Sequence, residues 1–204
     1  MERTFFFGNG INMASGGYSW DGMLVNMTSN TNIAYLKNNI LKYEYIVLAL
    51  PRYFNSPWLL HGKALMAGGV AWSSRKSVEY DLLRKKLCIK ILDFPRSQLY
   101  LKMAELNFQN YITTNYELHL NNVFSNSEYF VKTINDNDSR LYLKCIAQRG
   151  AEIVSLWNIH GDVNNPNSII IGLSEYCKYI VETGNYLDSS ANGKECWLDL
   201  FMKT

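Results

Sequence analysis

Three short polar segments hold the side chains of this sequence that could do chemistry. Asn115 and His160 each follow an apolar run that is typical of a buried strand, and Gly8 and Gly10 follow a third such run, Thr4–Phe7. A neutral amide can both donate to and accept from a hydroxyl group or a water molecule. An imidazole titrates near neutrality and can accept a proton from either. Side chains at the carboxyl ends of parallel strands meet at one edge of a sheet, where such folds bind ligands.

Each segment also has a purely structural interpretation. Gly8 and Gly10 could form a plain turn, because the third glycine and the later acidic residue of a dinucleotide fingerprint are missing. Thr114 and Asn115 could cap the next helix, as such residues often do. A lone histidine such as His160 is more often a structural residue than a base. The three histidines show neither a serine–histidine–aspartate arrangement nor metal-ligand spacing, so we expect no metal.

Composition favours a folded protein and excludes several classes of partner. The 204 residues are 48% hydrophobic and 19% charged, which fits one domain with a substantial core. A net charge of +2 with scattered basic residues argues against direct binding of nucleic acid. The four cysteines form no C-x-x-C pair, as expected for free thiols in a reducing compartment. No apolar run approaches the roughly 18–20 residues that span a bilayer, so we expect a soluble, cytoplasmic protein without membrane contact.

Strand and helix patterns alternate along the chain. The strand candidates are Thr4–Phe7, Asn110–Thr113, Tyr129–Ile134, Leu141–Ala147, Ile153–Ile159 and Ser168–Ile171. The helix candidates are a segment that opens at Trp20 with Ser19 as its cap, then Val78–Leu87, Ser97–Leu106, Glu117–Phe124 and Ser174–Glu182. This alternation predicts an α/β fold with a mainly parallel sheet flanked by helices. We expect a single domain over residues 1–204, with residues 51–90 as a candidate helical insert.

The order and spacing of the three polar segments resemble the sirtuin-like NAD-consuming family, in particular its bacterial anti-phage defence branch. The matching segments are Gly8, Gly10 and Asn12 for the family's G-x-G-x-S/N loop, residues 15–24 for S-G-x-x-S-W-x-x-L/M-L, residues 113–117 for T-x-N-Y/I-D, and His160-Gly161 for its strand-end H-G. Residues 166–170, PNSII, are similar to the P-x-S-I-V/I pattern that follows that H-G. The resemblance extends from Thr4 to about Phe201.

The resemblance implies a Rossmann-like domain without a zinc-binding small domain. It also implies an NAD hydrolase that cleaves NAD, as substrate, to nicotinamide and ADP-ribose. In that reaction Asn115 would orient a ribose hydroxyl or the attacking water, and His160 would accept its proton. The residues implied to bind NAD are Gly8, Asn9, Gly10, Asn12, Thr114, Glu117 and Gly161. Such a domain would act in abortive infection, as a homo-oligomer or with a partner protein of the defence system.

Several departures from the family pattern keep a second function open. Glu117 stands where the family usually has aspartate, and Tyr18 stands where many members have proline. The cysteine pairs of protein-deacylating sirtuins are missing, which disfavours a deacylase. We also expect the domain to lack its last strand, which holds the adenosine half in the family. The alternative function is a catalytically silent module that binds NAD or ADP-ribose, or docks a partner.

Overall fold

A single mixed sheet organises the part of the chain that the computed structural model describes, which is residues 2–19, 22–23, 84–134, 141, 144–171, 173–188 and 196–202. Its strands are β1 (Thr4–Phe7), β2 (Asn110–Thr113), β3 (Phe130–Ile134), β4 (Lys144–Arg149) and β5 (Glu152–Asn158). Their spatial order is β1-β2-β5-β4-β3. The pairs β1–β2 and β2–β5 are parallel, whereas β4 runs antiparallel to both β5 and β3. The predicted α/β fold with a mainly parallel sheet is therefore confirmed for the core of the sheet, and the pairs that involve β4 are antiparallel.

The register of the three parallel strands aligns their carboxyl ends. Phe7 pairs with Thr113, and Thr113 pairs in turn with Asn158. All four residues of β2 are buried, as expected for a central parallel strand that is covered on both faces. The segments that follow these strands therefore begin at the same edge of the sheet, and they are the three polar segments singled out in the sequence.

Helices cover both faces of the sheet. They are α1 (Gly10–Met13), α2 (residues 84–92), α3 (Leu99–Glu105), α4 (His119–Asn126), α5 (Leu173–Asp188) and α6 (Asp199–Met202). On one face, Tyr100 of α3 and Phe124 of α4 pack with Tyr111 and Leu156 of the sheet. On the other face, Ile112 and Trp157 form a smaller cluster joined by the partly buried Trp197 and Leu200. Burying each of these large side chains contributes about 1.5–3 kcal/mol.

The helix predictions are confirmed where the structure describes them. Helix α2 continues through residues 88–92, beyond the predicted end at Leu87. Helix α5 runs beyond its predicted end at Glu182, to Asp188. The hydroxyl of Ser19 accepts the Gly22 N–H at 3.0 Å, which is the predicted capping interaction. The glycine-containing segment after β1, for which a plain turn was one interpretation, contains the short helix α1.

One predicted strand, Ser168–Ile171, is wrong. The chain there forms a 3₁₀ helix at Pro166–Ser168 and continues without strand pairing. Ile169, Ile170 and Ile171 are buried against side chains outside the sheet, so an apolar run that resembles a strand serves as core packing.

The remaining domain predictions fall largely on residues that are not described. Most of the candidate insert at residues 51–90 lies outside the described residues. The same holds for the part of the predicted helix Val78–Leu87 that precedes residue 84. Of the helices within the described ranges, none combines the length and apolar character that crossing a bilayer requires.

Candidate functional site

The first two polar segments touch each other at the edge of the sheet. We call residues 8–19 the glycine loop and residues 114–118 the amide segment. A Cβ atom built on Gly8 would lie 3.3 Å from the Thr114 hydroxyl, so only a small residue fits comfortably there. Within the glycine loop, Asn12 Nδ2 donates to Asn9 Oδ1 at 3.1 Å, and Asn9 Nδ2 donates to the Tyr18 carbonyl at 3.2 Å. The loop is thus held by its own asparagines.

A chain of hydrogen bonds connects the glycine loop to the amide segment through helix α3. The Tyr100 hydroxyl contacts Asn12 Oδ1 at 2.9 Å and also Glu117 Oε1. Asn115 Nδ2 donates to the same carboxylate oxygen at 3.0 Å. All four residues are buried, so these polar groups depend on one another for hydrogen-bond partners. The structure therefore brings together three of the predicted site residues, Asn12, Asn115 and Glu117.

Every polar group of Asn115 except its side-chain oxygen has a hydrogen-bond partner. It is 0% exposed, its N–H donates to the Thr113 hydroxyl at 3.0 Å, and its carbonyl accepts from Asn158 Nδ2 at 3.1 Å. Its Oδ1 is buried and has no hydrogen-bond partner in the described part of the chain. A buried acceptor without a partner costs about 1–3 kcal/mol, which favours a donor from water or from a ligand.

The helix-cap interpretation of the amide segment is wrong. Helix α4 begins at His119 with Leu118 as its N-cap residue and has no side-chain capping hydrogen bond. Thr114 and Asn115 lie further upstream, and the Asn115 amide group donates to Glu117 instead. The polar side chains of this segment therefore serve the strand-end network.

A small cavity of about 10 Å³ lies on the α3 and α4 side of the sheet. Its polar lining residues are Thr113, Glu117, Asn121 and Asn158, and its apolar lining includes Phe7 and Leu120. The Asn121 Nδ2 atom is also buried without a hydrogen-bond partner among the described residues. A cavity of this size has room for about one water molecule.

His160 lies two residues beyond β5, and its ring packs against helix α5. The ring centroid is 5.4 Å from that of Tyr176 and 6.0 Å from that of Tyr179, and both contacts are edge-on. Burial lowers the pKa of His160 to about 4, so the imidazole is neutral near neutral pH. The strand register brings its backbone close to the amide segment, since Ile159 N–H donates to the Thr113 carbonyl at 3.0 Å. Within the described residues, the His160 ring packs against Tyr176 and Tyr179, and neither of them is a hydrogen-bond partner of Asn115.

Gly161 is required by the backbone around it. Its φ of +90° is strained for other residues, and a Cβ atom there would lie 2.3 Å from the Ser168 carbonyl oxygen. The Ile170 N–H donates to the His160 carbonyl at 2.8 Å, which closes the same turn. Glycine at this position therefore lets the chain after β5 fold back against itself.

Two residues of the network carried no signal in the sequence. Tyr100 lies inside the predicted helix Ser97–Leu106 with no polar motif around it, although a buried phenol requires a hydrogen-bond partner. His119 packs edge-on against Tyr100, with ring centroids 5.5 Å apart, and burial lowers its pKa. Its Nε2 atom is buried without a hydrogen-bond partner in the described ranges.

No metal centre is visible in the described part of the chain. Among the described residues, no group of three or more histidine, cysteine, aspartate or glutamate side chains is placed to hold a metal ion. The four cysteines are free thiols.

A protein family matches the part of the chain that contains the second and third polar segments. The family model described as SIR2-like domain matches residues 109–192, which is under half of the chain. The matched region starts just before β2 and ends after α5, so it contains both Asn115 and His160. No curated protein matches the chain significantly. The family match supports a sirtuin-like domain and is compatible with an NAD-dependent enzyme.

Proposed function

We propose that this protein binds NAD at the carboxyl ends of β1, β2 and β5 and hydrolyses it to nicotinamide and ADP-ribose. The observation that carries the proposal is the state of Asn115, which lies inside the SIR2-like match. Its amide donor is bound to Glu117, while its Oδ1 atom is buried without a partner among the described residues. A buried acceptor at a strand end suits a hydroxyl or water donor, and this edge is where α/β sheets bind ligands.

Asn115 is proposed to orient the reacting oxygen. Cleavage of a glycosidic bond passes through an oxocarbenium-like transition state, so the protein must hold the sugar and position a nucleophile. The contact with Glu117 fixes which end of the amide faces the open position. Its Oδ1 can then accept a hydrogen bond from a ribose hydroxyl or from the attacking water.

His160 is proposed to accept the proton that this oxygen releases. With its pKa lowered to about 4 by burial, the imidazole is neutral near neutral pH, so one ring nitrogen is unprotonated and can accept a proton. A low pKa also makes it a weaker base than an ordinary histidine, so its contribution would come from position more than from basicity. It would share the substrate edge with Asn115 because their strands are paired.

The glycine loop is proposed to bind the phosphate side of NAD. Gly8 and Gly10 follow β1, and a Cβ atom on Gly10 would meet no atom within 4 Å, so ligand atoms have room beside it. Asn9 and Asn12 supply the polar side chains of this loop. Thr114, after β2, and Gly161, after β5, would contact NAD at the two neighbouring strand ends.

The test is NAD turnover in the wild-type protein and three variants. Wild type should consume NAD and release ADP-ribose, whereas Asn115→Ala and His160→Ala should lose on the order of 10²–10⁴ in rate, as expected for a positioned acid–base group. Asn122→Ala, at an exposed position of α4, is the matched control and should retain wild-type turnover. Equal turnover in all four proteins would remove Asn115 and His160 from the mechanism.

A catalytically silent binding module is the second candidate function. It is favoured by Glu117, which stands where the family pattern has aspartate, and by the low pKa of His160, which makes that imidazole a weak base. Calorimetry of NAD and ADP-ribose binding, combined with product analysis, separates the two candidates. Binding of both ligands without release of nicotinamide would favour the silent module.

The physiological role is proposed to be depletion of NAD in the cytoplasm during anti-phage defence, triggered by self-association or by a partner protein. The support for this role is the resemblance of the three polar segments to the defence branch of the sirtuin-like family. Cells that express the wild-type protein should lose NAD after phage infection and release fewer phage. Cells that express His160→Ala should keep their NAD, and equal phage yields from both would contradict the role.

A further inference from the structure

We infer that Tyr100 is a positioning residue that couples the glycine loop to the amide segment, so that helix α3 sets the geometry of the nucleotide site. In its consequences for activity the inference rests on the proposed function. The coupling itself rests only on the contacts of Tyr100. Neither the family match, which begins at residue 109, nor the sequence patterns assign this residue a role.

The Tyr100 side chain is held in one position by its ring. It is 1% exposed, and its ring packs edge-on against Phe7 at 6.2 Å and against His119 at 5.5 Å between centroids. Phe7 is the last residue of β1 and His119 is the first of α4, so the ring is clamped between two elements that lead into or out of the site. A phenol fixed in this way presents its hydroxyl at a defined point.

The hydroxyl makes its two contacts interdependent. It lies 2.9 Å from Asn12 Oδ1 and also contacts Glu117 Oε1. Burial and the neighbouring carboxylate raise the pKa of Tyr100 well above its usual value, so the phenol keeps its single proton. One proton cannot be given fully to both oxygens, and any change at one partner therefore alters the bond to the other.

Each contact of the hydroxyl continues into a predicted site segment. Through Glu117 it reaches the Asn115 amide, which donates to the same carboxylate oxygen. Through Asn12 it reaches Asn9, whose own amide bonds the Tyr18 carbonyl. Removal of a single oxygen atom should therefore loosen both segments while the packing of the ring is kept.

The decisive variant is Tyr100→Phe, and the protein offers a matched control in Tyr111→Phe. Tyr111 is also 1% exposed, and its hydroxyl donates to the Met103 carbonyl at 2.7 Å and accepts from the Phe108 N–H at 3.3 Å, so both of its partners lie outside the two segments. Each substitution deletes one buried, hydrogen-bonded hydroxyl, so the global loss of stability should be similar. Any difference between the variants in the two segments then reports the coupling.

The first readout is amide hydrogen exchange in the protein without ligand. Tyr100→Phe should speed exchange about tenfold or more both at Gly17, whose N–H bonds the Asn12 carbonyl, and at Asn115. Tyr111→Phe should leave both amides close to their wild-type rates. Unchanged exchange at either amide in Tyr100→Phe, or equal changes in the two variants, would overturn the inference whether or not the protein hydrolyses NAD.

The second readout is the kinetics of NAD hydrolysis. Misplacing reacting groups costs on the order of 10²-fold in rate, so kcat should fall about 10- to 100-fold in Tyr100→Phe, with a smaller change in KM. Tyr111→Phe should stay within about threefold of wild type. In a Glu117→Gln background the same Tyr100→Phe change should cost less, because the two residues act through one bond. A wild-type protein without turnover would refute the proposed function, and the exchange readout would still decide the coupling.

Discussion

Asn115 Nδ2 donates to Glu117 Oε1 across 3.0 Å, between two buried side chains that are separated by one residue. The pairing engages the donor end of the amide and leaves its oxygen for another molecule. It also means that Glu117 holds the Asn115 amide at a position where the sirtuin-like pattern has the shorter aspartate. The contact is thus the local basis for the proposed chemistry.

The first prediction reverses the two chemical groups of this pair. Asn115→Asp should lower the free energy of unfolding by about 2–4 kcal/mol, because it brings a second carboxylate against Glu117 in a buried site. Adding Glu117→Gln to that variant should restore much of the loss, since the new amide can donate to the new carboxylate. Urea unfolding of the two single variants and the double variant measures both effects.

Additive losses in the double variant would show that the two side chains do not interact in solution. Asn122→Asp is the control for adding a carboxylate to this region, and its stability should stay within about 0.5 kcal/mol of wild type because the residue is exposed.

The sequence predicted the elements more completely than it predicted the site. The bounds of β1 and β2 match those expected, because each strand has adjacent apolar residues that are followed by polar or glycine residues. The antiparallel placement of β4 beside β5 was not predicted, since the order of strands in a sheet depends on contacts between distant residues. For the same reason Tyr100 escaped notice, because its bond to Asn12 joins residues 88 positions apart.

The second prediction concerns the pH dependence of stability. The pKa of His160 is about 4 in the folded protein, against 6.5 for an ordinary histidine. The unfolded chain therefore binds more protons than the folded protein between these two pKa values. The contribution of neutral His160 to the free energy of unfolding is fully present above about pH 6.5 and is lost as the pH falls toward about 4. The loss should approach about 3 kcal/mol, measured by urea unfolding across that range.

His160→Gln isolates this effect, because it keeps a polar side chain that cannot titrate. The difference in stability between wild type and the variant should shift in favour of the variant as the pH falls from about 6.5 to about 4. A difference that stays constant over the whole range would show that His160 is not held neutral by burial.

The third prediction compares two glycines with positive φ. Gly161→Ala should destabilise the protein by more than about 3 kcal/mol, because its Cβ would lie 2.3 Å from the Ser168 carbonyl oxygen. Gly150→Ala has a φ of +59° and would meet no atom within 4 Å, so only the backbone penalty of about 1–2 kcal/mol applies. Thermal unfolding of both variants ranks them, and equal losses would contradict the close approach at Gly161.

The most direct test of the account is to incubate the wild-type protein with NAD in water enriched in ¹⁸O and to analyse the products by mass spectrometry. Hydrolysis predicts equal amounts of nicotinamide and ADP-ribose, with one ¹⁸O atom in each ADP-ribose when the products are analysed before the sugar exchanges its oxygen with solvent. His160→Ala and Asn115→Ala should form little of either product. NAD that stays intact although the protein binds it would contradict hydrolysis.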